Sequence, residues 1–308
     1  MKIAVVGAGG VGGYFGGRLA AAGEDVNFIA RGAHLQAIRE QGLQILSRAG
    51  GDAQLPPGGA TDNAAEVGPV DAVLFSVKLY DVDAAAQAAR PLVGADTVVV
   101  SLQNGVDAEQ RMVEILGPGH VAGGVAEIGA NIAEPGVILH KSAFARLTFG
   151  ALDGNADPRL ERLCAACQAA GLEASVSDDI EASLWMKFIM LASFSAMTCL
   201  LRLPAEYIRD DADIRAVYVA ALREVEAVGR ARGVDLPAGV VERTTGFLDG
   251  MPDGMKASML VDLEQGRRLE LEHLSGAVVR FAAELGIPVP VHKTAYAALK
   301  PWAAGATA

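Results

Sequence analysis

The sequence predicts an N-terminal α/β domain, built on a doubly wound parallel sheet, followed by an all-α C-terminal domain. The chain has 308 residues, about twice the length of a typical single domain. In its first half, short apolar runs alternate with helical segments, as they do in parallel sheets covered by helices. Beyond about residue 178 the β-branched runs nearly vanish. We therefore predict one domain over residues 1–178 and a second over residues 179–308.

The first half opens with the apolar run KIAVV at residues 2–6, which is typical of a strand buried on both faces. A glycine-rich turn and a helical stretch over residues 14–22 follow. Further strands are predicted over residues 26–30, 72–77, 97–102, 121–125 and 145–150, and further helices over residues 82–90 and 158–171. In the second half, helices are predicted over residues 180–203, 211–233, 237–249, 255–265 and 267–285.

Charge and composition exclude several classes of protein. With 26 Lys and Arg against 37 Asp and Glu, the net charge is −11, which disfavours binding to nucleic acid or to an anionic membrane. The most apolar run, residues 188–201, is shorter than the ~20 residues of a membrane span, and residues 1–6 do not form a signal peptide. We therefore expect a soluble, cytoplasmic protein.

The three cysteines are too few, and odd in number, for a disulfide framework. Two of them, Cys164 and Cys167, form a CxxC motif inside a helical pattern, with no second Cys or His pair nearby. We interpret them as part of a buried helix face. A redox or metal role is the alternative.

A glycine fingerprint, GAGGVG, follows the first predicted strand and opens a helix. This context, within a βαβ unit, predicts a Rossmann-type dinucleotide site rather than a merely glycine-rich turn. Gly7 permits the tight turn, Gly9 lets the backbone approach a pyrophosphate, and Gly12 allows close packing of helix on strand. The N–H groups at the helix N-terminus, including those of Gly10 and Val11, can bind the phosphates.

The residue that ends the second predicted strand indicates which cofactor binds. NAD enzymes commonly place Asp or Glu about 20 residues beyond the fingerprint, where it accepts a hydrogen bond from the ribose 2′-hydroxyl. Here that place is taken by Arg31, which can bind a 2′-phosphate bidentately. We therefore predict NADP(H). The alternative is that Arg31 is an ordinary solvated loop residue.

Two polar residues follow later strands of the predicted sheet. Lys78 comes directly after the strand AVLFSV, and Asn104 follows the strand TVVVSL. Ligands of doubly wound sheets bind at the carboxyl ends of the strands. We expect both side chains to contact ligand, with ordinary loop roles as the alternative.

A nicotinamide cofactor supplies a hydride, so a reductase also needs a proton donor near the substrate carbonyl. Lys187 heads the most apolar predicted helix, where it must either reach solvent or face a cleft; the residues alone favour solvent. Glu270 and His273 share a predicted helix face, but no second such pair stands nearby to complete a metal site. The sequence does not rank Glu270 against Glu272.

Taken together, these segments resemble the ketopantoate reductase (2-dehydropantoate 2-reductase) family over nearly the whole chain. No single motif is as specific as the combination. It comprises the N-terminal MKIAVVGAGGVG, Arg31, Ser76-Val77-Lys78, Gln103-Asn104-Gly105-Val106, Trp185-Met186-Lys187, Ser258-Met259-Leu260-Val261-Asp262, Glu270 ahead of Ser275-Gly276, and Gly286-Ile287-Pro288-Val289-Pro290.

The resemblance implies NADPH-dependent reduction of 2-dehydropantoate to (R)-pantoate, a step towards pantothenate and coenzyme A. It implies a Rossmann domain, a helical domain, a cleft between them, and a homodimer formed through the helical domain. Lys187 would be the proton donor and Glu270 its acidic partner. Asn104 and Ser258 would contact the substrate.

The chain departs from the family pattern at two positions. The pattern often carries Asn four and eight residues after the catalytic lysine, where this chain has Leu191 and Ser195. Leucine cannot hydrogen-bond a substrate, whereas Ser195 can, over a shorter reach. A reductase of a more apolar 2-oxo acid is therefore an alternative. A non-catalytic NADP(H)-binding sensor is a remote one, because Lys187, Glu270 and Asn104 are all retained.

Overall fold

The computed structural model describes residues 1–306 and divides into two compact units. The first unit comprises Met1–Gln103 and Ala108–Ser183, and the second comprises Asn104–Asp107 and Leu184–Ala308. The short segment Asn104–Asp107 therefore interrupts the first unit along the sequence and groups with the second. Each unit is described by itself below.

The first unit is built on one mixed sheet. Its strands are β1 (Lys2–Val6), β2 (Asp25–Ile29), β3 (Gln44–Ser47), β4 (Ala53–Gln54), β5 (Ala60–Thr61), β6 (Ala72–Phe75), β7 (Val98–Ser101), β8 (Val121–Glu134), β9 (Val137–Ala151) and β10 (Glu173–Val176). They lie in the order β4-β3-β9-β8-β7-β6-β1-β2-β5, and β10 pairs with β9. The ladders that join β8, β7, β6, β1 and β2 are all parallel.

The predicted fold class is confirmed, but the sheet is not wholly parallel. β8 and β9 form a long antiparallel hairpin, turning at Gly136, whose φ is +82°. The strands predicted over 121–125 and 145–150 are only the inner ends of this hairpin. β8 is buried as far as Ala126 and largely exposed beyond it, so its outer half has no buried apolar run that would predict a strand.

Helices cover both faces of the sheet. They are α1 (Gly10–Ala21), α2 (Gly32–Gln41), α3 (Val82–Ala89), α4 (Ala108–Leu116) and α5 (Pro158–Ala169). On one face, Ile3 and Val5 of β1 belong to a core shared with α1 and α5. On the other face, Ala4 and Val6 pack with α3 and α4. This alternation explains why β1 is apolar at every position from Ile3 to Val6, as a strand buried on both faces must be.

Cys164 and Cys167 lie within the core on the inner face of α5, and both are free thiols. Burial raises the pKa of Cys164, and it raises the pKa of Cys167 to about 12. A thiol that stays protonated at neutral pH is a poor nucleophile and a poor metal ligand. The buried setting is therefore that of packing residues.

The second unit is helical. Its helices are α6 (Ile180–Leu201), whose first four residues are grouped with the first unit, α7 (Ala205–Asp210), α8 (Ala212–Ala231), α9 (Val240–Asp249), α10 (Ser258–Glu264), α11 (Ser275–Leu285) and α12 (Pro290–Leu299). α6 is long and apolar enough to cross a membrane, but 67% of its most apolar 18-residue window is buried inside the protein. Such burial is typical of the core helix of a soluble protein.

The helix predicted over residues 267–285 is wrong in its first part. The chain there forms a 3₁₀ turn at Leu271–His273, and α11 begins only at Ser275. Leu274 separates the two with φ −103° and ψ −98°, outside the helical region. The apolar spacing of this segment suits both arrangements, so local pattern did not reveal the break. α12 was not predicted from the sequence; it begins at Pro290, and proline is favoured in the first turn of a helix.

A carboxylate from α8 caps the start of α12. The backbone N–H groups of Val291 and His292 donate to Glu224, at 2.8 and 2.9 Å. The His292 ring is fully buried, and its Nε2 lies 3.3 Å from the carbonyl oxygen of Ala221. Because that carbonyl can only accept, Nε2 carries the proton of a neutral ring. Burial lowers the pKa of His292 to about 4 and raises the pKa of Glu224.

His292 should make stability depend on pH. Unfolded histidine binds a proton below about pH 6.5, whereas folded His292 does so only near pH 4, so stability falls as pH drops through this window, by up to ~1.4 kcal/mol per unit. We expect His292→Gln, measured by urea unfolding from pH 4.5 to 7.5, to flatten this slope. The raised pKa of Glu224 gives the free energy of unfolding the opposite dependence on pH. It does so in both proteins, so this contribution cancels when the two stability curves are compared. Parallel stability curves would contradict the prediction.

Candidate dinucleotide and substrate sites

The turn between β1 and α1 has the geometry that its glycines predict. Gly7 adopts a φ of +95°, in the left-handed region that favours glycine, and its N–H donates to Ile29 at the end of β2 at 3.1 Å. Gly9 is the last residue before α1, and a Cβ placed there would meet no heavy atom within 4 Å. The backbone at Gly9 is therefore open to an approaching group.

The later glycines let α1 lie directly on the sheet. A Cβ at Gly12 would lie 2.2 Å from Ser76 Oγ and 2.3 Å from the carbonyl oxygen of Gly7. One turn later, a Cβ at Gly16 would lie 2.4 Å from a methyl carbon of Val5. Neither position can hold a larger residue unless the helix moves. Close packing of helix on strand is thus a property of the whole inner face of α1.

Gly10 has a packing role that the sequence did not predict. A Cβ there would lie 2.3 Å from the carbonyl oxygen of Ala130 in the hairpin β8–β9. The next residue, Val11, is half-buried and packs against the core on the α1 side of the sheet. The first turn of α1 is therefore held between the hairpin and the sheet. Its N-terminus has no side-chain cap and no acidic residue in the first turn, which suits an anionic ligand.

The basic residues predicted for this site follow neighbouring strands. Arg31 ends the β2 segment, precedes α2 and is exposed; Lys78 follows β6, precedes a 3₁₀ turn and is half-buried. Because β6, β1 and β2 are adjacent and parallel, Arg31, Lys78 and the glycine turn lie at the same edge of the sheet. Half-buried Asn104 follows β7 but groups with the second unit.

Ser76 and Gln103, which appear in the sequence only as members of motifs, stabilise the carboxyl edge of the sheet. The Ser76 hydroxyl donates to the carbonyl oxygen of Gly7 at 2.8 Å. The Gln103 amide donates to Phe75 at 3.0 Å and accepts from Ser101 at 2.6 Å. Ser76 therefore stabilises the turn beneath the glycine loop, and Gln103 joins the ends of β6 and β7. Their positions directly after apolar strands were the only signal in the sequence.

In the second unit, three residues form a stripe along α6. Lys187, Leu191 and Ser195 follow one another at intervals of one helical turn and so share a face. Lys187 and Leu191 are half-buried, and Ser195 is only 2% exposed. The polarity of this face therefore depends on the position occupied by Leu191.

The structure distinguishes the two carboxylates that sequence alone could not rank. Glu270 is buried, with 4% of its surface exposed, and immediately precedes the 3₁₀ turn. Glu272 is exposed and pairs with Arg280 and Tyr296. The α-helix that was predicted to carry Glu270 and His273 on one face does not form: Glu270 precedes the 3₁₀ turn, and His273 is the last residue of that turn. Within residues 1–306, no group of three or more His, Cys, Asp or Glu is arranged to hold a metal ion.

The last predicted substrate residue, Ser258, is the first residue of α10 and is exposed. Asn104, Lys187, Ser195, Ser258 and Glu270 thus all belong to the second unit, whereas the glycine turn, Arg31 and Lys78 belong to the first.

Comparison with known proteins identifies the family. Residues 3–154 match the family model described as "Ketopantoate reductase PanE/ApbA", and residues 179–303 match the model of its C-terminal part. The chain belongs to the ketopantoate reductase family. The resemblance predicted from the sequence motifs is thereby confirmed, and the chain belongs to a family of oxidoreductases.

Individual relatives agree with this assignment. The 2-dehydropantoate 2-reductase of Mesorhizobium japonicum is 33% identical over 94% of each chain. The crystal structure of a PanE/ApbA family ketopantoate reductase from Ralstonia eutropha is 34% identical, with a TM-score of 0.90 over 98% of each chain. A D-mandelate dehydrogenase solved with NADH and anilino(oxo)acetate has a TM-score of 0.88 over 98% of each chain, but at 21% identity it shares only the fold.

Alanine substitutions at Gly12 and Gly9 should distinguish a glycine needed for packing from one needed for dinucleotide binding. Gly12→Ala places a Cβ against backbone, and we expect it to lower the free energy of unfolding by ~1–3 kcal/mol. Gly9→Ala has open space and a backbone that alanine can adopt, so it should change stability by less than ~0.5 kcal/mol while weakening dinucleotide binding. Urea unfolding and dinucleotide titration of both variants test this. Equal loss of stability in both would contradict the packing argument.

Proposed function

We propose that this protein is a soluble, cytoplasmic enzyme that uses NADPH to reduce a 2-oxo acid. The acid we propose is 2-dehydropantoate, and the product is (R)-pantoate. The observation that carries the proposal is that Asn104, Lys187 and Glu270, the polar residues implied for the acid, belong to one compact unit. The 2-dehydropantoate 2-reductase relative covers 94% of the chain and thus both units.

From this grouping we propose a separate role for each of two parts of the chain. We assign dinucleotide binding to residues 1–178, and substrate binding and proton transfer to residues 179–308. Asn104 joins the second set through its short segment. The acid would then be held by one unit and the dinucleotide by the other.

The residues of the first unit fit a dinucleotide phosphate. The open backbone at Gly9 and the uncapped N-terminus of α1 offer N–H groups, with no acidic side chain in the first turn to repel an anion. Gly7, Gly9, Gly10, Val11 and Gly12 would hold the pyrophosphate. Exposed Arg31 would bind a 2′-phosphate, with Lys78 and Asn104 as further contacts. A bound nicotinamide dinucleotide supplies the hydride.

Lys187 is proposed as the proton donor. As the substrate carbonyl carbon is reduced, negative charge develops on its oxygen, and a nearby ammonium stabilises that charge. Nζ of Lys187 then donates a proton to this oxygen. Lysine is suited to the step because it is normally protonated at neutral pH.

Glu270 is proposed as the acidic partner, either holding a hydroxyl group of the acid or orienting Lys187. Its burial, with 4% of its surface exposed, and its place directly before the 3₁₀ turn support a role at a defined position shielded from water. Asn104, Ser195 and Ser258 would donate or accept further hydrogen bonds to the acid.

A more apolar 2-oxo acid is the alternative substrate. Leu191 occupies the stripe between Lys187 and Ser195 and is half-buried there. A leucine at this place offers a methyl-lined surface and no hydrogen bond. An acid with an alkyl or aryl group in place of the hydroxymethyl end of 2-dehydropantoate would suit it.

Arg31 should select between the two cofactors. Arg31→Ala should weaken NADPH binding by ~1–3 kcal/mol, the range for a hydrogen bond to a charged group, and leave NADH affinity nearly unchanged. Fluorescence titration of both cofactors against parent and variant measures this. Lys78→Ala is a useful comparison, because loss of a contact common to both cofactors should weaken both equally. Equal losses in Arg31→Ala would remove the 2′-phosphate role.

Lys187 should govern the chemical step. Lys187→Ala should lower kcat by roughly 10²–10⁴, the range for a positioned proton donor, while NADPH affinity survives. Glu270→Ala should raise KM for the acid more than it lowers kcat if it mainly holds substrate. Single-turnover NADPH oxidation separates these effects. A Lys187→Ala enzyme that turns over within about threefold of the parent would eliminate Lys187 as the acid.

Substitution of Leu191 should show which 2-oxo acid the enzyme prefers. If the site is adapted to an apolar acid, the parent reduces such acids faster than 2-dehydropantoate, and Leu191→Asn erodes the preference by ~10–200-fold. If 2-dehydropantoate is the natural substrate, it remains the best acid in both proteins. A panel of 2-oxo acids followed by NADPH absorbance distinguishes the two cases. An unchanged ranking among all acids would remove Leu191 from the specificity argument.

A further inference from the structure

One side chain joins two segments that carry proposed substrate residues. Nη2 of Arg280, on α11, donates to Oδ2 of Asp107 at 3.0 Å. Asp107 closes the segment Asn104–Asp107, which begins with the proposed substrate residue Asn104. The guanidinium therefore fixes one end of this short segment within the second unit.

The other nitrogen of the same guanidinium reaches the turn that follows Glu270. Nη1 of Arg280 donates at 2.8 Å to the backbone carbonyl of Glu272 and at 2.8 Å to its carboxylate. The carbonyl contact matters most, because it fixes the backbone of the 3₁₀ turn Leu271–His273 and not merely a flexible side chain. Glu270 immediately precedes this turn.

Two further contacts reinforce the arrangement. Nδ1 of His273 lies 3.4 Å from Oδ2 of Asp107, and the Tyr296 hydroxyl donates to Glu272 at 2.6 Å. The side chains of Asp107 and His273 are only 15% and 14% exposed. The inner part of the network, at Asp107 and His273, is thus shielded from water, whereas the side chains of Arg280 and Glu272 are 40% and 56% exposed.

We propose that Arg280 is a positioning residue that sets the separation between Asn104 and Glu270 for the 2-oxo acid. The idea rests on the proposed function, since both residues are assigned there to the acid. Arg280 acts through them. Its planar fork, with separate N–H groups for Asp107 and for the turn, makes the link in a way that a lysine cannot fully reproduce.

Steady-state kinetics tests the role. Because Asn104 and Glu270 are proposed to hold the acid, we expect Arg280→Gln to raise KM for the acid by about tenfold or more, with kcat changed by less than about threefold. Arg280→Lys should recover part of the loss. Asp107→Asn should resemble Arg280→Gln. Arg223→Gln, which alters an exposed arginine on α8 of the same unit, is the matched control and should behave as the parent.

Double variants show whether Arg280 acts through the two substrate residues. If it does, adding Arg280→Gln to Asn104→Ala or to Glu270→Ala should raise KM less than it does in the parent. If Arg280 has a merely structural role, Arg280→Gln lowers the melting temperature and the active fraction and leaves KM unchanged. Its effect on stability then adds fully to the effects of Asn104→Ala and of Glu270→Ala.

Hydrogen exchange tests the positioning without any turnover. We expect amides of residues 104–107 and 270–274 to exchange faster in Arg280→Gln than in Arg223→Gln. Unchanged exchange in either segment overturns the proposal, as does an unchanged KM in an active enzyme. If the parent reduces no 2-oxo acid with NADPH, the proposed function fails, while the exchange result still decides whether Arg280 couples the two segments.

Discussion

The close contact between the sheet and the glycines of α1, which bring no side chain of their own to it, is the constraint on which the first unit depends. Cβ atoms at Gly12 and Gly16 would overlap Ser76, Gly7 and Val5, so only glycine lets the helix lie this close. The same contact brings the N-terminus of α1 directly to the carboxyl end of β1. The open backbone at Gly9 and the uncapped N–H groups at the start of α1, which we propose bind the phosphates, are therefore consequences of packing.

The second unit is organised differently: side-chain contacts to Asp107 hold the segment Asn104–Asp107 within it. This segment leaves the sheet after β7 and is bound by Arg280 and His273 before the chain returns in α4. Residues proposed for the acid are thereby collected in one unit, and those proposed for the dinucleotide lie in the other, except Asn104, which is proposed for both. If the proposed assignment holds, residues such as Leu191 on α6 can vary without altering the glycine turn, because they belong to different units.

Local patterns were sufficient for the fold class, for the glycine turn and for most helices. β1 and α1 could be predicted because a doubly buried strand and a GxGxxG turn leave signals within a dozen or so residues. The outer half of the hairpin β8–β9 left no such signal, because its exposed strands lack an apolar run. The break before Ser275 was also missed, since the apolar spacing around it is compatible with a continuous helix.

The sequence by itself determined the family, the α/β and helical halves, and the identities of the polar residues at the strand ends and on α6. The tertiary structure alone decided which of Glu270 and Glu272 is buried, and that Asn104 groups with the helical unit. Two glutamates two residues apart carry the same local signal. Their environments differ because Arg280 and Tyr296 bind one of them at the surface while the other turns inward. Such contacts join residues far apart along the chain, and no local pattern encodes them.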